Sequence, residues 1–264
     1  MNYLKKKTHN DKVLWLTLNR PEIHNAFNDE LIEQLTTEFA ALQDDEETRL
    51  VILAGEGKSF CAGADLNWMK KMKDYSEEEN YQDSLKLQGL FQAINDCPVP
   101  VMARVNGACL GGGTGLISAC DYVLSVKSAS FGFTEVSLGL VPAVISPFVI
   151  AKIGQSQARA YFMSGERFKG QRAYDMGLVH QLCEEEELDE KIERQIKFFL
   201  SAGPIASQVS KHLIGGVIKR RRSSDSAGIR DFTCKVISKL RTSEEGQEGM
   251  SALLEKRKPN WIKE

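Results

Sequence analysis

No stretch of this 264-residue chain approaches the roughly 20 consecutive apolar residues that a membrane-spanning helix requires, which excludes an evident transmembrane segment. Residues 1–11 are polar and contain no apolar signal core, so a cytoplasmic location is expected. Excess charge of either sign is lacking: the formal net charge is −2, and no global field draws the chain to nucleic acid or to an anionic membrane. Histidine is sparse, and His9, His24, His180 and His212 show no metal-ligand spacing, so no metal site is expected. The six cysteines (Cys61, Cys97, Cys109, Cys120, Cys183 and Cys234) include no C-x-x-C pair and read as buried, reduced thiols. G-x-G-x-x-G is absent, so the chain lacks the dinucleotide fingerprint. Internal repeats and low-complexity linkers are also missing.

What is present is an ordinary globular composition, 42% hydrophobic and 27% charged, with length enough for one large domain or a core plus an appendage. Val13–Leu18 alternates as a strand. Asn28 is placed to cap a helix over Asp29–Leu42, whose Ile32, Leu35, Phe39 and Leu42 recur at three- and four-residue steps. Leu50–Ala54 reads as a buried strand, and Ser76 with Glu79 forms a capping box for a helix reaching about Asn95. A strand at Val99–Val105, a helix at Gly112–Ala119 and a strand at Asp121–Val126 follow. The alternation predicts an α/β fold with right-handed crossovers. After about Glu184 only helices are expected, at Leu188–Leu200, Ile205–Ile218 and Ile229–Leu240, punctuated by Gly203-Pro204 and Gly215-Gly216. This region reads as an appendage that packs on a neighbouring subunit.

Two features carry chemistry. Gly111-Gly112-Gly113 lies between a strand and a helix, where a bare N–H at a helix N-terminus suits a developing oxyanion. Taken alone, such a run is most often a tight turn for close packing. Glu135 sits in an apolar context before Gly139-Leu140-Val141-Pro142; a lined pocket there would raise its pKa and suit it to proton transfer, whereas the plainer reading is a solvated surface residue. Gly55-Glu56-Gly57-Lys58-Ser59 imitates the end of a phosphate-binding loop, but Ile52 stands where the earlier glycine is required, so it reads as an exposed turn. Cys61-Ala62-Gly63-Ala64-Asp65-Leu66 reads as a small-residue helix entry capped by Asp65. Lys219-Arg220-Arg221-Arg222 is a solvated helix end or a phosphate or RNA contact.

In their order along nearly the whole chain these pieces resemble the crotonase (enoyl-CoA hydratase/isomerase) superfamily. The marks are Leu18-Asn19-Arg20-Pro21 with Asn25-Ala26-Phe27, Ser59 through Leu66, Asn106-Gly107 with Leu110 through Gly113, Cys120-Asp121, Glu135 with Leu138-Gly139, and the tail Leu254-Glu255-Lys256-Arg257-Lys258, which looks like the family's C-terminal helix. The resemblance implies a crotonase-like β-β-α spiral core over residues 1–187 and an all-helical trimerisation region over 188–264, with trimers that pair into hexamers. It implies an acyl-CoA substrate and no tightly bound cofactor; the short apolar runs and balanced charge argue against a membrane or nucleic acid as a partner. By position, the Ala64 and Gly112 N–H groups would hold the thioester oxygen and Glu135 would be the acid/base. Ala26, Ala62, Gly63, Asp65, Leu66 and Lys256 would contact coenzyme A, with Lys256 reaching across a subunit boundary. Trp68, Thr114, Gly115, Val141 and Pro142 would line the acyl pocket.

The chain departs from the two-carboxylate hydratases at Gly115, where those enzymes carry a glutamate. Double-bond isomerases of the superfamily keep only the Glu135-like group. Asp65 through Met69, Thr134-Glu135-Val136 and Gly139 through Phe148 are similar to bacterial 3-methylglutaconyl-CoA hydratases of leucine breakdown, which also resemble this chain at Gly115. The expected function is therefore hydration of a short branched enoyl-CoA by one carboxylate. An enoyl-CoA double-bond isomerase and a non-catalytic CoA-ester or RNA-binding homologue are the alternatives. A distal carboxylate on the substrate would call for a cation, with Arg104, Lys70 and Lys71 as candidates.

Overall fold

The computed structural model describes residues 2–9, 12–223 and 225–262. Met1, Asn10 and Asp11 of the polar N-terminal segment lie outside the described residues. The chain divides into two compact units, one of residues 1–97 with 101–193 and one of 98–100 with 194–264.

The first unit is organised by two sheets that the chain visits in turn. Strands β1 (Leu4–Thr8), β2 (Val13–Leu18), β3 (Leu50–Gly55), β5 (Val101–Val105), β7 (Tyr122–Val126) and β10 (Gln181–Cys183) form a six-stranded sheet in that order. Strands β4 (Ser59–Cys61), β6 (Ala108–Leu110), β8 (Ser130–Gly132) and β9 (Arg167–Lys169) form a four-stranded one. The outer pairs β1/β2 and β8/β9 are antiparallel and the other pairs parallel. Helices follow each step: α1 (Asp29–Ala41), α2 (Leu66–Met72), α3 (Glu77–Asn95), α4 (Gly112–Ala119), α5 (Ser146–Ser164) and α6 (Gly170–Asp175). Thus β3-β4-α2-α3, β5-β6-α4 and β7-β8-α5 are successive turns of one β-β-α spiral, each adding a strand to both sheets.

The local causes are legible. β3, Leu-Val-Ile-Leu-Ala-Gly, is buried throughout, as a parallel strand covered on both faces must be. The Asn28 side chain accepts from Leu31 N–H, and the Ser76–Glu79 capping box closes in both directions. The strand predicted from Val99 begins at Val101, because Pro100 has no N–H to give a ladder. β1 escaped prediction because its exposed edge carries Lys5, Lys6 and Lys7, which block further pairing but erase any apolar alternation. The four-stranded sheet escaped because three-residue strands are too short to show a period.

α7 (Leu188–Ser201) crosses from the first unit's residues into the second's, which is otherwise helical: α8 (Pro204–Arg222), α9 (Ser226–Arg241) and α10 (Glu244–Leu254). Gly203-Pro204 starts α8 as read, but Gly215-Gly216 does not punctuate it. A methyl on Gly216 would lie 2.5 Å from Phe232 Cζ, so this glycine permits α8 and α9 to approach closely inside an unbroken helix. The tail needs a second correction. Leu254–Lys258 is not a helix; Leu254 ends α10, and Lys256 adopts a left-handed φ of 56°. α10 itself, capped by Ser243, was not foreseen. A third concerns the thiols: Cys61, Cys97, Cys109, Cys120 and Cys183 are buried, but Cys234 is exposed on α9. Burial pushes the Cys61 thiol up to about 12, which suppresses thiolate reactivity. Among the described residues no helix is long and apolar enough to cross a membrane, and no three His, Cys, Asp or Glu side chains group as metal ligands.

Candidate active site

Glu135 is set by a 3₁₀ turn, Thr134–Leu138, that leaves β8 and closes on Gly139, whose φ of 73° a side chain would resist. Its Oε2 is buried and has no hydrogen-bond partner among the described residues. Burial raises the pKa of the carboxyl, and its own backbone N–H only partly offsets this. A half-buried carboxylate without a cation or a donor on one oxygen is poised to exchange a proton, not to hold a structure together.

Two loops face this group. In the first, Phe27 bridges Ala64: Phe27 N–H donates to the Gly63 carbonyl at 2.7 Å, and Asp65 N–H donates to the Phe27 carbonyl at 2.8 Å. In this parallel pattern the flanking residues make the bonds, so the exposed Ala64 keeps its own N–H unused. In the second, Gly111 (φ 51°, ψ −122°) turns the chain into α4, leaving Gly112 as the first helical residue with an N–H that has no intrahelical acceptor. A methyl on Gly111 would sit 3.4 Å from Glu135 Oε1 and 3.8 Å from Gly63 Cα. The Gly111 turn, the Ala62–Asp65 loop and Glu135 therefore meet at one place. Two outward N–H groups, one on a positive helix end, and a desolvated carboxylate can stabilise an enolate and carry its proton.

The first loop is bolted by a residue whose role the sequence reading did not assign. Arg20 donates from Nη2 to Asp65 Oδ2 at 2.6 Å and from Nη1 to the Ala26 carbonyl at 2.7 Å, with its guanidinium 4.5 Å from the centre of the Tyr3 ring. Both partners of the ion pair are below a tenth exposed. Burial would raise the Asp65 carboxyl, but Asn67 N–H, the Arg20 contact and Trp68 N–H hold it below the usual carboxylate range. Asp65 also caps α2, as read. The signal was there: Arg20 and Asp65 both lie inside the family marks, but nothing in their spacing pairs them. Arg20→Met would strand the buried Asp65 charge and is expected to cost about 3–5 kcal/mol, measured by chemical denaturation. A loss below about 1 kcal/mol would show that the pair does not anchor the loop.

The remaining assigned residues differ in exposure and surroundings. Ala26 and Pro142 are buried, whereas Leu66 and Val141 are exposed, at 74% and 71%, alongside Leu138 and Leu140. These apolar side chains are left in water on the segments that flank Glu135 and Ala64. Trp68 is buried on α2, close enough to influence Asp83. Thr114 is fully buried, and its hydroxyl donates to the Gly111 carbonyl. Gly115 is walled in: a methyl there would lie 2.3 Å from Ile145 Cγ2 and 3.0 Å from Phe91 Cζ. Lys256 belongs to the second unit. Of the candidate cations, Lys70 and Lys71 are exposed in the last turn of α2. Arg104 is engaged by Asp189 at 2.6 Å and lines a groove of about 1100 Å³ with Lys58 and Asn106, neither of which was assigned to the site.

Residues 8–264 match the family model described as enoyl-CoA hydratase/isomerase. The 2,3-dehydroadipyl-CoA hydratase of Escherichia coli is 33% identical over 254 residues, covering 95% of each chain. A peroxisomal Delta(3,5)-Delta(2,4)-dienoyl-CoA isomerase of Arabidopsis thaliana is 29% identical over 269 residues, covering 98% of this chain and 95% of that one. The crystal structure of an enoyl-CoA hydratase from Shewanella pealeana superposes with a TM-score of 0.92 at 35% identity, covering 98% of this chain and 96% of that one.

Proposed function

Because the chain belongs to the enoyl-CoA hydratase/isomerase family, and is thus an acyl-CoA enzyme, we propose that it hydrates a short, branched enoyl-CoA of the 3-methylglutaconyl type with Glu135 as its one acid/base. The observation that carries this reading is the desolvated Glu135 carboxylate, its Oε2 without a partner among the described residues, facing the Gly111 turn and the Ala64 loop. The Ala64 and Gly112 N–H groups take the thioester oxygen. Ionised Glu135 removes a proton from water as the oxygen adds to the β-carbon, and electrons move through the α-carbon onto the thioester oxygen. The same carboxyl then returns the proton to the α-carbon. The two N–H donors act most strongly on the enolate, and losing one is typically worth about 3–4 kcal/mol. Exposed Leu66, Leu138, Leu140 and Val141 are suited to an apolar pantetheine and acyl chain. Coenzyme A arrives with the substrate and no resident cofactor is needed. The apolar side chains left exposed on the second unit's helices, among them Ile214, Ile237 and Leu253, support a trimer or a pair of trimers, and we place the enzyme in the cytoplasm.

One observation favours a second reading in the same family. With Gly115 closed off by Ile145, a single carboxylate serves the site, and one carboxylate suffices to carry a proton between two carbons. Products formed from 3-methylglutaconyl-CoA and crotonyl-CoA in oxygen-18 water separate the two. Mass spectrometry is expected to show one oxygen-18 at the β-carbon, with faster gain on the branched substrate. Double-bond migration in a 3-enoyl-CoA with no oxygen gain from either substrate would replace the hydratase by the isomerase.

A further inference from the structure

Three donors converge on the carbonyl oxygen of Gly111: the Thr114 hydroxyl at 2.5 Å, Thr114 N–H at 2.9 Å and Gly115 N–H at 3.3 Å. The two N–H bonds are what any helix start provides. The hydroxyl is extra, and it comes from a side chain that is completely buried. The identity of the acceptor matters here. The Gly111 carbonyl and the Gly112 N–H are the two ends of one planar peptide group. Donors on the oxygen pull electron density from the nitrogen, which makes the N–H a stronger donor, and bonds linked in this way reinforce one another. They also fix the peptide plane, whose own conformation (Gly111 φ 51°, ψ −122°) is not held by any side-chain cap.

We infer that Thr114 is a positioning residue for the reaction: its hydroxyl, acting through the Gly111 carbonyl, aims and polarises the Gly112 N–H at the thioester oxygen. This rests on the reading of Gly112 as an oxyanion donor. Thr114 therefore contributes its hydroxyl to the oxyanion site and not to the acyl pocket. Ser118 continues the chain of bonds one turn on, donating to the Thr114 carbonyl at 2.7 Å. That carbonyl shares its peptide group with the Gly115 N–H, so the Gly111 oxygen stands at the end of a short relay.

The test uses Thr114→Val, which removes the hydroxyl at nearly constant volume, and Thr114→Ser, which restores it. Thr36→Val is the control, because Thr36 makes the same kind of bond, to the Ile32 carbonyl at 2.7 Å, in α1, which carries no candidate site residue. For Thr114→Val we expect kcat to fall about 5- to 20-fold with KM within twofold, short of the 10²–10³ lost with a direct oxyanion donor. The carbonyl stretch of bound [1-¹³C]butyryl-CoA, which cannot be hydrated, is expected to move toward its value in water. Thr114→Ser should recover both quantities, and Thr36→Val should leave both at wild-type values. If Thr114→Val does not fold, Thr114→Ala is compared with Thr114→Ser in the same two measurements. Wild-type kcat and carbonyl frequency in the hydroxyl-free variant, or no recovery with serine, would overturn the inference. Glu135→Gln run in parallel keeps the outcomes apart: if it abolishes turnover while Thr114→Val keeps wild-type kcat and carbonyl frequency, the inference about Thr114 fails and the function stands.

Discussion

Glu135→Gln is expected to lower kcat/KM about a thousandfold, within the range a positioned general acid/base contributes, while leaving the affinity for a non-reacting acyl-CoA nearly unchanged. The substitution keeps shape and volume, so the loss isolates proton transfer from packing. The pH dependence gives an independent check. Burial raises the Glu135 pKa above that of an ordinary carboxylate, and the reaction begins from the ionised form. The acid limb of kcat/KM in the wild-type enzyme should therefore lie above pH 4.5, with activity rising as pH rises through it. The stability effect runs the other way. A carboxyl whose pKa is raised by folding is a burden when ionised, and that burden disappears as pH falls below its unfolded value. Glu135→Gln should consequently melt no lower than wild type near neutral pH, and the difference between the two should vanish in acid. Full turnover in Glu135→Gln would remove both the hydratase and the isomerase mechanism, since both pass the proton through this group.

The way this site was readable explains which parts of the molecule were not. Glu135 and Gly112 could be picked out as candidates because local context makes them conspicuous: a lone carboxylate among apolar neighbours, and consecutive glycines at a strand-to-helix junction. In the large sheet β2, β3, β5 and β7 were readable and β1 and β10 were not: parallel strands buried on both faces leave unbroken apolar runs, as Leu50–Gly55 does. The three-residue strands of the second sheet carry no period, although they place Cys61 beside Cys109 and so bring the Ala62–Asp65 loop beside the Gly111 turn. Arg20 and Asp65, 45 residues apart, became a pair only when the fold closed around them. Gly215-Gly216 misled because glycine signals a break in sequence, whereas here Gly216 makes room for the Phe232 ring. Contacts of long range, and the difference between a glycine that turns and a glycine that admits a neighbour, are properties of packing that no local pattern states.

Gly115 shows the same distinction with the largest consequence for stability. Gly115→Glu, which would restore the glutamate of the two-carboxylate hydratases, is expected to destabilise the protein by more than about 3 kcal/mol and to yield no active enzyme. The Cβ alone would lie 2.3 Å from Ile145 Cγ2 and 3.0 Å from Phe91 Cζ, before any carboxylate is added. Neither neighbour yields easily. Ile145 is β-branched and stiff, and Phe91 is fully buried, its ring 6.5 Å from that of Phe27 and 5.9 Å from that of Phe148. A carboxylate forced among these groups would also lose its hydration without gaining a partner. The small residue at 115 and the branched one at 145 thus fill a single space between them, and the second carboxylate cannot be restored by one substitution. Ile145→Ala should cost stability by itself, yet it should reduce the penalty of Gly115→Glu, giving a favourable coupling in a double-mutant cycle measured by urea denaturation. Additive effects would show that the two sites do not compete for one volume. If the double variant folds, its rate on crotonyl-CoA relative to wild type tests whether the absent carboxylate limits hydration or whether Glu135 alone already meets the demand.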